Sequence, residues 1–143
     1  MADKLTKEQE VQRKYLELQL LEKQVKTLHS QVQQLEQQIG DVDEISSSLH
    51  QLAETGGDTE LLIPLSAGIF FRGKLVDAKK VLVNVGAGSF VPKSAEETCN
   101  DLQEQLVQMR KLQEDRMIQL QELASYAQRV QEELAKLVEE AHV

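Results

Sequence analysis

Apolar residues recur every seven positions near both ends of the chain, in two columns that stand three residues apart. We call each such pair of columns a seam. Seams sustained over several heptads are typical of coiled coils rather than of ordinary surface helices. The first segment has no proline and a single glycine, Gly40, so we predict one long helix over residues 4–53. Its columns are Val11, Leu18, Val25, Val32 and Ile39, and Leu21, Leu28, Leu35, Val42 and Leu49.

A few residues depart from this first seam. Lys14 stands in the second column, and Leu16 and Leu20 lie outside both columns, where they face solvent or contact something else. Ile45 and Leu52 also fall outside the columns. Because such a shift turns the apolar face of a helix toward a new partner, we expect the seam to change direction near Ile45.

The end of the chain, residues 94–142, carries a second seam. Ser94 followed three residues later by Glu97 is a capping box that predicts a helix start, and neither glycine nor proline follows. Gln113 and Arg116 interrupt its columns. We predict that this helix folds back on the first as an antiparallel two-helix coiled coil, with both chain ends at one tip. The columns are Cys99, Leu106, Leu120, Ala127 and Leu134, and Leu102, Met109, Leu123, Val130 and Leu137.

The middle of the chain, residues 60–92, carries the same pattern twice, twenty residues apart. Each copy is an aliphatic run, a turn of small residues that includes Gly68 or Gly88, and a second apolar run. This arrangement predicts two tandem β-hairpins with four strands, inserted at the other end of the coiled coil. Because proline cannot donate a ladder hydrogen bond, we expect Pro64 at a sheet edge or bulge and Pro92 at the end of the fourth strand.

The predicted hairpins are too small to form a core of their own, and they leave apolar edges open. We therefore predict an obligate oligomer that assembles through this segment. The fold class is α+β and mostly α, as a single domain over residues 1–143. The residues expected between subunits are Leu62, Ile63, Leu65, Phe70, Phe71, Leu82, Val83, Val85 and Phe90.

Composition and charge exclude several functions. The net charge of −8 argues against a nucleic-acid surface, which requires a basic face. The single cysteine, Cys99, excludes an internal disulfide and a multi-cysteine metal cluster. No apolar run is long enough to span a membrane, and the start of the chain lacks the apolar stretch of a signal peptide. We therefore expect a cytoplasmic protein with no membrane partner.

No catalytic or cofactor motif is evident. Gly86 and Gly88 form a Gly-x-Gly pair, but the third glycine of a dinucleotide-binding loop is absent and no helix follows directly. His29, His50 and His142 are far apart along the sequence. We predict that the protein is not an enzyme and that it uses no cofactor or metal.

The tandem hairpin pattern between two coiled-coil segments resembles the alpha-class subunits of prefoldin. Beta-class subunits of that family carry one hairpin, and the Gly-Ala-Gly turn at residues 86–88 favours the archaeal type. The resemblance is sharpest over residues 61–95. There the residues at positions typical of the family are Pro64, Gly68, Gly73, Asp77, Val85, Gly86 and Gly88.

The resemblance implies a hexamer of two alpha-class and four beta-class subunits, whose hairpins form a double β-barrel platform. In this family the tips of the coiled coils hold unfolded proteins without ATP and prevent their aggregation. The complex then delivers these clients to a group II chaperonin. An alternative from another class is a structural filament or scaffold subunit that assembles through the same β segment.

The predicted coiled-coil tip is the candidate client-binding site. Helix ends fray, so apolar side chains there become available to exposed apolar segments of a client. The other interpretation of Val11, Leu134 and Leu137 is that they form the last layers of the coil. The tip residues are Leu5, Val11, Tyr15, Leu134, Leu137 and Val138.

Overall fold

The computed structural model of the chain describes the backbone of residues 2–142 and the side chains of residues 6–141. It contains two long helices and two antiparallel hairpins, which confirms the predicted fold class. The chain divides into two compact units, unit 1 with residues 2–37 and 110–142, and unit 2 with residues 38–109. The elements are α1 (Ala2–Thr55), β1 (Glu60–Ser66), β2 (Ile69–Lys74), β3 (Lys80–Gly86), β4 (Ser89–Ser94) and α2 (Ala95–His142).

Unit 1 is an antiparallel pair of helical segments. Contacts between side chains run in opposite directions along the two helices, since Lys14 reaches Glu133 while Glu17 reaches Tyr126. The predicted seam residues form its core. Burying a side chain of this size stabilises the fold by roughly 1.5–3 kcal/mol. Leu18, Leu21 and Val130 form the buried cluster, and Leu123, Ala127 and Leu134 pack against it.

The helical part of unit 2 corrects one sequence prediction. The first seam does not turn at Ile45, because Ser46 continues its first column and is only 2% exposed, while Ile45 faces solvent. The Ser46 hydroxyl accepts a hydrogen bond from Gln103 Nε2 at 3.2 Å, so this buried polar group is satisfied. The pattern departs from the column later, where Leu52 is half-buried and Ala53 is exposed.

Both helix boundaries next to the hairpins are capped. Helix α1 ends at Thr55, and Gly56 follows with a φ of +79°, a conformation that glycine adopts without strain. At the start of α2, the Glu97 N–H donates to Ser94 Oγ at 3.0 Å. This bond confirms Ser94 as the N-cap, so α2 itself begins at Ala95.

The two hairpins have matching registers, which confirms the internal repeat. Strand β1 pairs with β2 from Glu60 opposite Lys74, and β3 pairs with β4 from Lys80 opposite Ser94. The two pairs form separate two-stranded sheets. In each hairpin the register shifts by one residue before the turn, after Pro64 in the first copy. Pro64 therefore lies beside a bulge, as predicted.

Each hairpin turns through an Ala-Gly pair with positive φ. The φ angles are +50° and +81° at Ala67 and Gly68, and +51° and +73° at Ala87 and Gly88. Positive φ at both central residues defines the type I′ turn, whose twist matches that of the flanking strands. Glycine suits the second position, whereas alanine in the left-handed region carries strain.

The fourth strand is longer than the sequence predicts. Strand β4 continues through Pro92, which lies opposite Leu82, and ends at Ser94. Proline is tolerated there because β4 has only one paired neighbour among the described strands, so its other edge needs no donor.

Candidate functional site

The predicted assembly residues form an apolar surface on the hairpins, which we call the hairpin surface. Among them only Val83 is half-buried, and the others are exposed in the chain. Exposed apolar patches of this extent mark sites of contact with other molecules. The residues of the hairpin surface are Leu62, Ile63, Leu65, Phe70, Phe71, Leu82, Val83, Val85 and Phe90.

Apolar side chains of the first hairpin lie on both of its faces. Ile63 lies directly opposite Phe71, so the two share one face, while Pro64 and Phe70 share the other. Ile63 also covers Gly73, since its Cδ1 lies 2.6 Å from where a Cβ of residue 73 would be. A larger residue at Gly73 would therefore displace Ile63. A ribbon that is apolar on two faces requires covering layers on both sides.

Of the tip residues whose side chains are described, Tyr15 is exposed and the others are half-buried. Leu134 packs against the buried cluster of unit 1, which agrees with its interpretation as a coil layer. Tyr15 is exposed, and its hydroxyl accepts a hydrogen bond from Gln19 Nε2 at 3.2 Å. The side chain of Leu5 lies outside the described residues. The other half-buried members are Val11, Leu137 and Val138.

A polar network lies beside these residues in unit 1. Lys14 Nζ donates to Glu133 Oε2 at 2.7 Å and lies 3.8 Å from Glu17 Oε2. The Tyr126 hydroxyl donates to Glu17 Oε1 at 2.6 Å, and the Arg129 guanidinium lies 5.5 Å from the centre of the Tyr126 ring. Lys14 thus occupies a seam position with a partner from the other helix, rather than only interrupting the apolar column.

The network shifts the pKa values of three of its members. The hydrogen bond from Lys14 lowers the pKa of Glu133, and the same bond raises the pKa of Lys14. The hydrogen bond to Glu17 raises the pKa of Tyr126. Each shift favours the protonation state that keeps its bond, so the network is intact at neutral pH.

Two exposed leucines in unit 1 are further functional candidates. Leu16 is 64% exposed and Leu20 is 58% exposed. They stand four residues apart on a helix, so they share one face. Their position outside the heptad columns was the sequence signal for this exposure. We call them the outer leucines.

Two further searches of the described residues gave no site. Within residues 2–142, neither helix is long and apolar enough to cross a membrane. Among the described side chains, those of residues 6–141, no His, Cys, Asp and Glu residues form a group of three or more that could hold a metal ion.

Comparisons with known proteins agree on one family. The Prefoldin subunit family model matches residues 21–140. Prefoldin subunit alpha 1 of Thermococcus kodakarensis is 33% identical over 106 residues, which cover 74% of this chain and 70% of that protein. Prefoldin subunit alpha of Archaeoglobus fulgidus is 28% identical over 131 residues, which cover 92% of this chain and 96% of that protein.

A solved structure has the same fold. A cryo-EM structure of filamentous PFD from Methanocaldococcus jannaschii matches with a TM-score of 0.71 at 16% identity, covering 81% of this chain and 96% of that chain. The family match extends over most of α1, all four strands and nearly all of α2. The chain therefore belongs to the prefoldin family of chaperone subunits, with the two hairpins of its alpha class.

Proposed function

We propose that the chain is a subunit of an ATP-independent chaperone that holds unfolded proteins and delivers them to a group II chaperonin. The observation that carries this proposal is the apolar surface that remains exposed in unit 1 after the seam is packed, which includes Tyr15, Leu16 and Leu20. Exposed aromatic and aliphatic side chains beside a stable coil suit weak contacts with the apolar segments of an unfolded chain.

The hairpin surface would serve assembly. Each large apolar side chain that is moved from water into an interface contributes roughly 1.5–3 kcal/mol, before the cost of association is subtracted. A surface with this many exposed apolar residues therefore strongly favours a stable complex. We propose a hexamer with beta-class prefoldin subunits, two alpha-class and four beta-class, built on β-barrels formed from the hairpins.

Client binding would depend on several subunits at once. A single set of tip residues and outer leucines offers few contacts, so its affinity for a client segment is low. Several such sets in one complex raise the overall affinity by increasing the effective concentration. This requires no nucleotide or other cofactor, and we propose that the complex works in the cytoplasm.

Truncation tests the proposal directly. The chain would be co-purified with a beta-class prefoldin subunit, either intact or lacking the residues before Lys14 and after Val130. We expect the truncated complex to remain assembled by sedimentation but to lose most of its suppression of client aggregation, measured by light scattering of a denatured protein, since the other tip residues are removed and Tyr15 and the outer leucines remain. A truncated complex that protects the client fully would rule out these ends as the client site.

A matched variant separates loss of apolar contacts from loss of helix. Tyr15→Ser, Leu16→Ser and Leu20→Ser together should weaken protection of the client, although this variant keeps both chain ends at full length. The control is Gln12→Ser with Gln128→Ser, both at exposed positions of unit 1.

Electron microscopy of the intact complex distinguishes the rival function, because a filament or scaffold subunit would form open polymers rather than closed particles.

A further inference from the structure

A groove in unit 1 combines apolar walls with positive charge. It has a volume of about 490 Å³, and Leu20, Leu28 and Leu123 form its apolar walls. The charged residues that line it are Lys23 and Arg116, and the rest of its lining is uncharged. We call it the Arg116 groove. Its composition suits a ligand that carries both apolar groups and a negative charge.

Arg116 lacks a carboxylate partner within the described part of the chain. It occupies a seam position and is half-buried, and its Nη1 donates to the amide oxygen of Gln119 at 3.2 Å. Neither Arg116 nor Lys23 takes part in an ion pair among the side chains of residues 6–141. A guanidinium stays charged and has five N–H donors, so most of the hydrogen-bonding capacity of Arg116 remains open to a ligand.

A second groove of unit 1 provides a contrast. That groove is lined by cations and carboxylates together, among them Lys14 and Glu133, which already form an ion pair with each other. Its positive charges are neutralised by the chain itself. The Arg116 groove has no acidic lining residue, although the chain as a whole carries a net charge of −8. Attraction of an acidic group must therefore come from this groove, because the overall charge opposes it.

We propose that the Arg116 groove binds an amphipathic client segment in which an aspartate or glutamate is flanked by apolar side chains. The carboxylate pairs with Arg116, a geometry that guanidinium favours through two parallel hydrogen bonds. The flanking side chains contact Leu20, Leu28 and Leu123. The inference rests on the proposed client-holding function and adds to it a preferred class of client segment.

Two peptides and the assembled complex test this inference. The probes are a short fluorescein-labelled peptide with one glutamate between leucines, and the same peptide with glutamine in its place. Fluorescence anisotropy should show the complex binding the glutamate peptide about tenfold more tightly, as expected when a charged hydrogen bond replaces a neutral one. Arg116→Gln should abolish this preference, and Arg116→Lys should retain part of it.

Two further variants test the contribution of the apolar wall of the groove and the effect of a charge change outside it. Leu20→Ser should weaken both peptides equally, since it removes a wall and leaves the charge. Lys26→Gln, an exposed charge change outside the groove, should leave both affinities unchanged. Circular dichroism of each variant confirms that the helices are retained. A preference that persists in Arg116→Gln would overturn the inference, and so would an equal loss in Lys26→Gln.

Other results would assign the groove to packing between subunits, or would distinguish the groove inference from the proposed client-holding function. If Leu20→Ser lowers the sedimentation coefficient without changing peptide binding, the groove packs a second copy of the chain and the inference is wrong. An unmodified complex that protects clients but shows no peptide preference would overturn the inference and leave the proposed function intact. A complex with the preference but without protection would support the groove and contradict the proposed function.

Discussion

In unit 1 the seam residues Leu18, Leu21 and Val130 are buried by two helices of the same chain. In unit 2 the apolar side chains of the hairpins, such as Phe70 and Leu82, remain exposed. Both sets of residues are equally apolar, so composition alone does not explain the difference. The helices cover each other because each offers one apolar stripe, whereas the hairpins are apolar on two faces and no second layer covers them among the described residues.

This contrast suggests different roles for the two units. A coil whose seam is buried by its own two helices needs no partner to cover that seam, and it leaves a few apolar groups, such as the outer leucines, in contact with water. Uncovered hairpins require other subunits. Variants that affect one surface should therefore leave the other largely unaffected, since the substituted residues belong to different units.

The largest expected effect concerns the hairpin surface. Val83→Asp with Val85→Asp adds two charges to this surface, and desolvating them at an interface would cost more than the assembly gains. We expect only monomers by analytical ultracentrifugation of the chain mixed with beta-class subunits. Asn100→Asp with Gln105→Asp, at exposed helix positions of the same unit, adds the same charge and should still assemble. A hexamer from the Val83/Val85 variant would show that the contacts lie elsewhere.

The next effect concerns the seam. Leu21→Ala empties a buried position in the unit 1 cluster and should lower the free energy of unfolding of the isolated chain by about 2–4 kcal/mol. Leu20→Ala, at the adjacent exposed position, should change it by less than about 0.5 kcal/mol. Urea denaturation followed by circular dichroism measures both. Equal losses at the two positions would contradict the division between seam and exposed face.

A smaller, stabilising effect is expected at a hairpin turn. Ala87 has a φ of +51°, and asparagine tolerates this region better than alanine. Ala87→Asn should therefore raise the free energy of unfolding of the assembled complex by up to about 1 kcal/mol per chain. Ala135→Asn, within helix α2, should lower it by about 0.6 kcal/mol. Thermal unfolding that shifts in the same direction for both variants would argue against the left-handed turn.

The smallest effect is the pH dependence of the network in unit 1. Lys14 lowers the pKa of Glu133 in the folded chain, so the pair contributes stability above the unfolded pKa of glutamate, about 4.3. That contribution is lost as the pH falls through the lowered pKa of the folded state. Glu133→Gln should flatten the acid side of the stability curve, while Glu132→Gln, at an exposed position next to it, should not. Identical acid unfolding of the unsubstituted chain, Glu133→Gln and Glu132→Gln would exclude the Lys14–Glu133 pair as a pH-dependent contact.

The sequence predicted the seams and hairpins because both have short-range signatures. Heptad columns identified the buried positions of unit 1, including Leu18 and Val130. The twenty-residue repeat predicted two hairpins with matching registers, including the turns at Gly68 and Gly88. Family resemblance then supplied an expectation that patterning could not, namely assembly with other prefoldin subunits.

Polar seam residues were less predictable, because their partners are distant along the chain. Lys14 lies 119 residues from its partner Glu133, and periodicity shows only that Lys14 interrupts a column. The predicted turn of the seam near Ile45 is wrong because Ser46 continues the column, and its buried hydroxyl is satisfied by Gln103, 57 residues away. Strand β4 continues past Pro92 because it has a free edge, a feature set by sheet topology rather than by local sequence.

Site-specific photo-crosslinking tests the central claim most directly. A photoreactive phenylalanine analogue would replace either Leu16 in unit 1 or Phe70 on the hairpin surface, and the assembled complex would be irradiated with a denatured client. We predict that position 16 crosslinks to the client and position 70 to a partner subunit. Crosslinks from position 70 to the client, with none from position 16, would contradict the account.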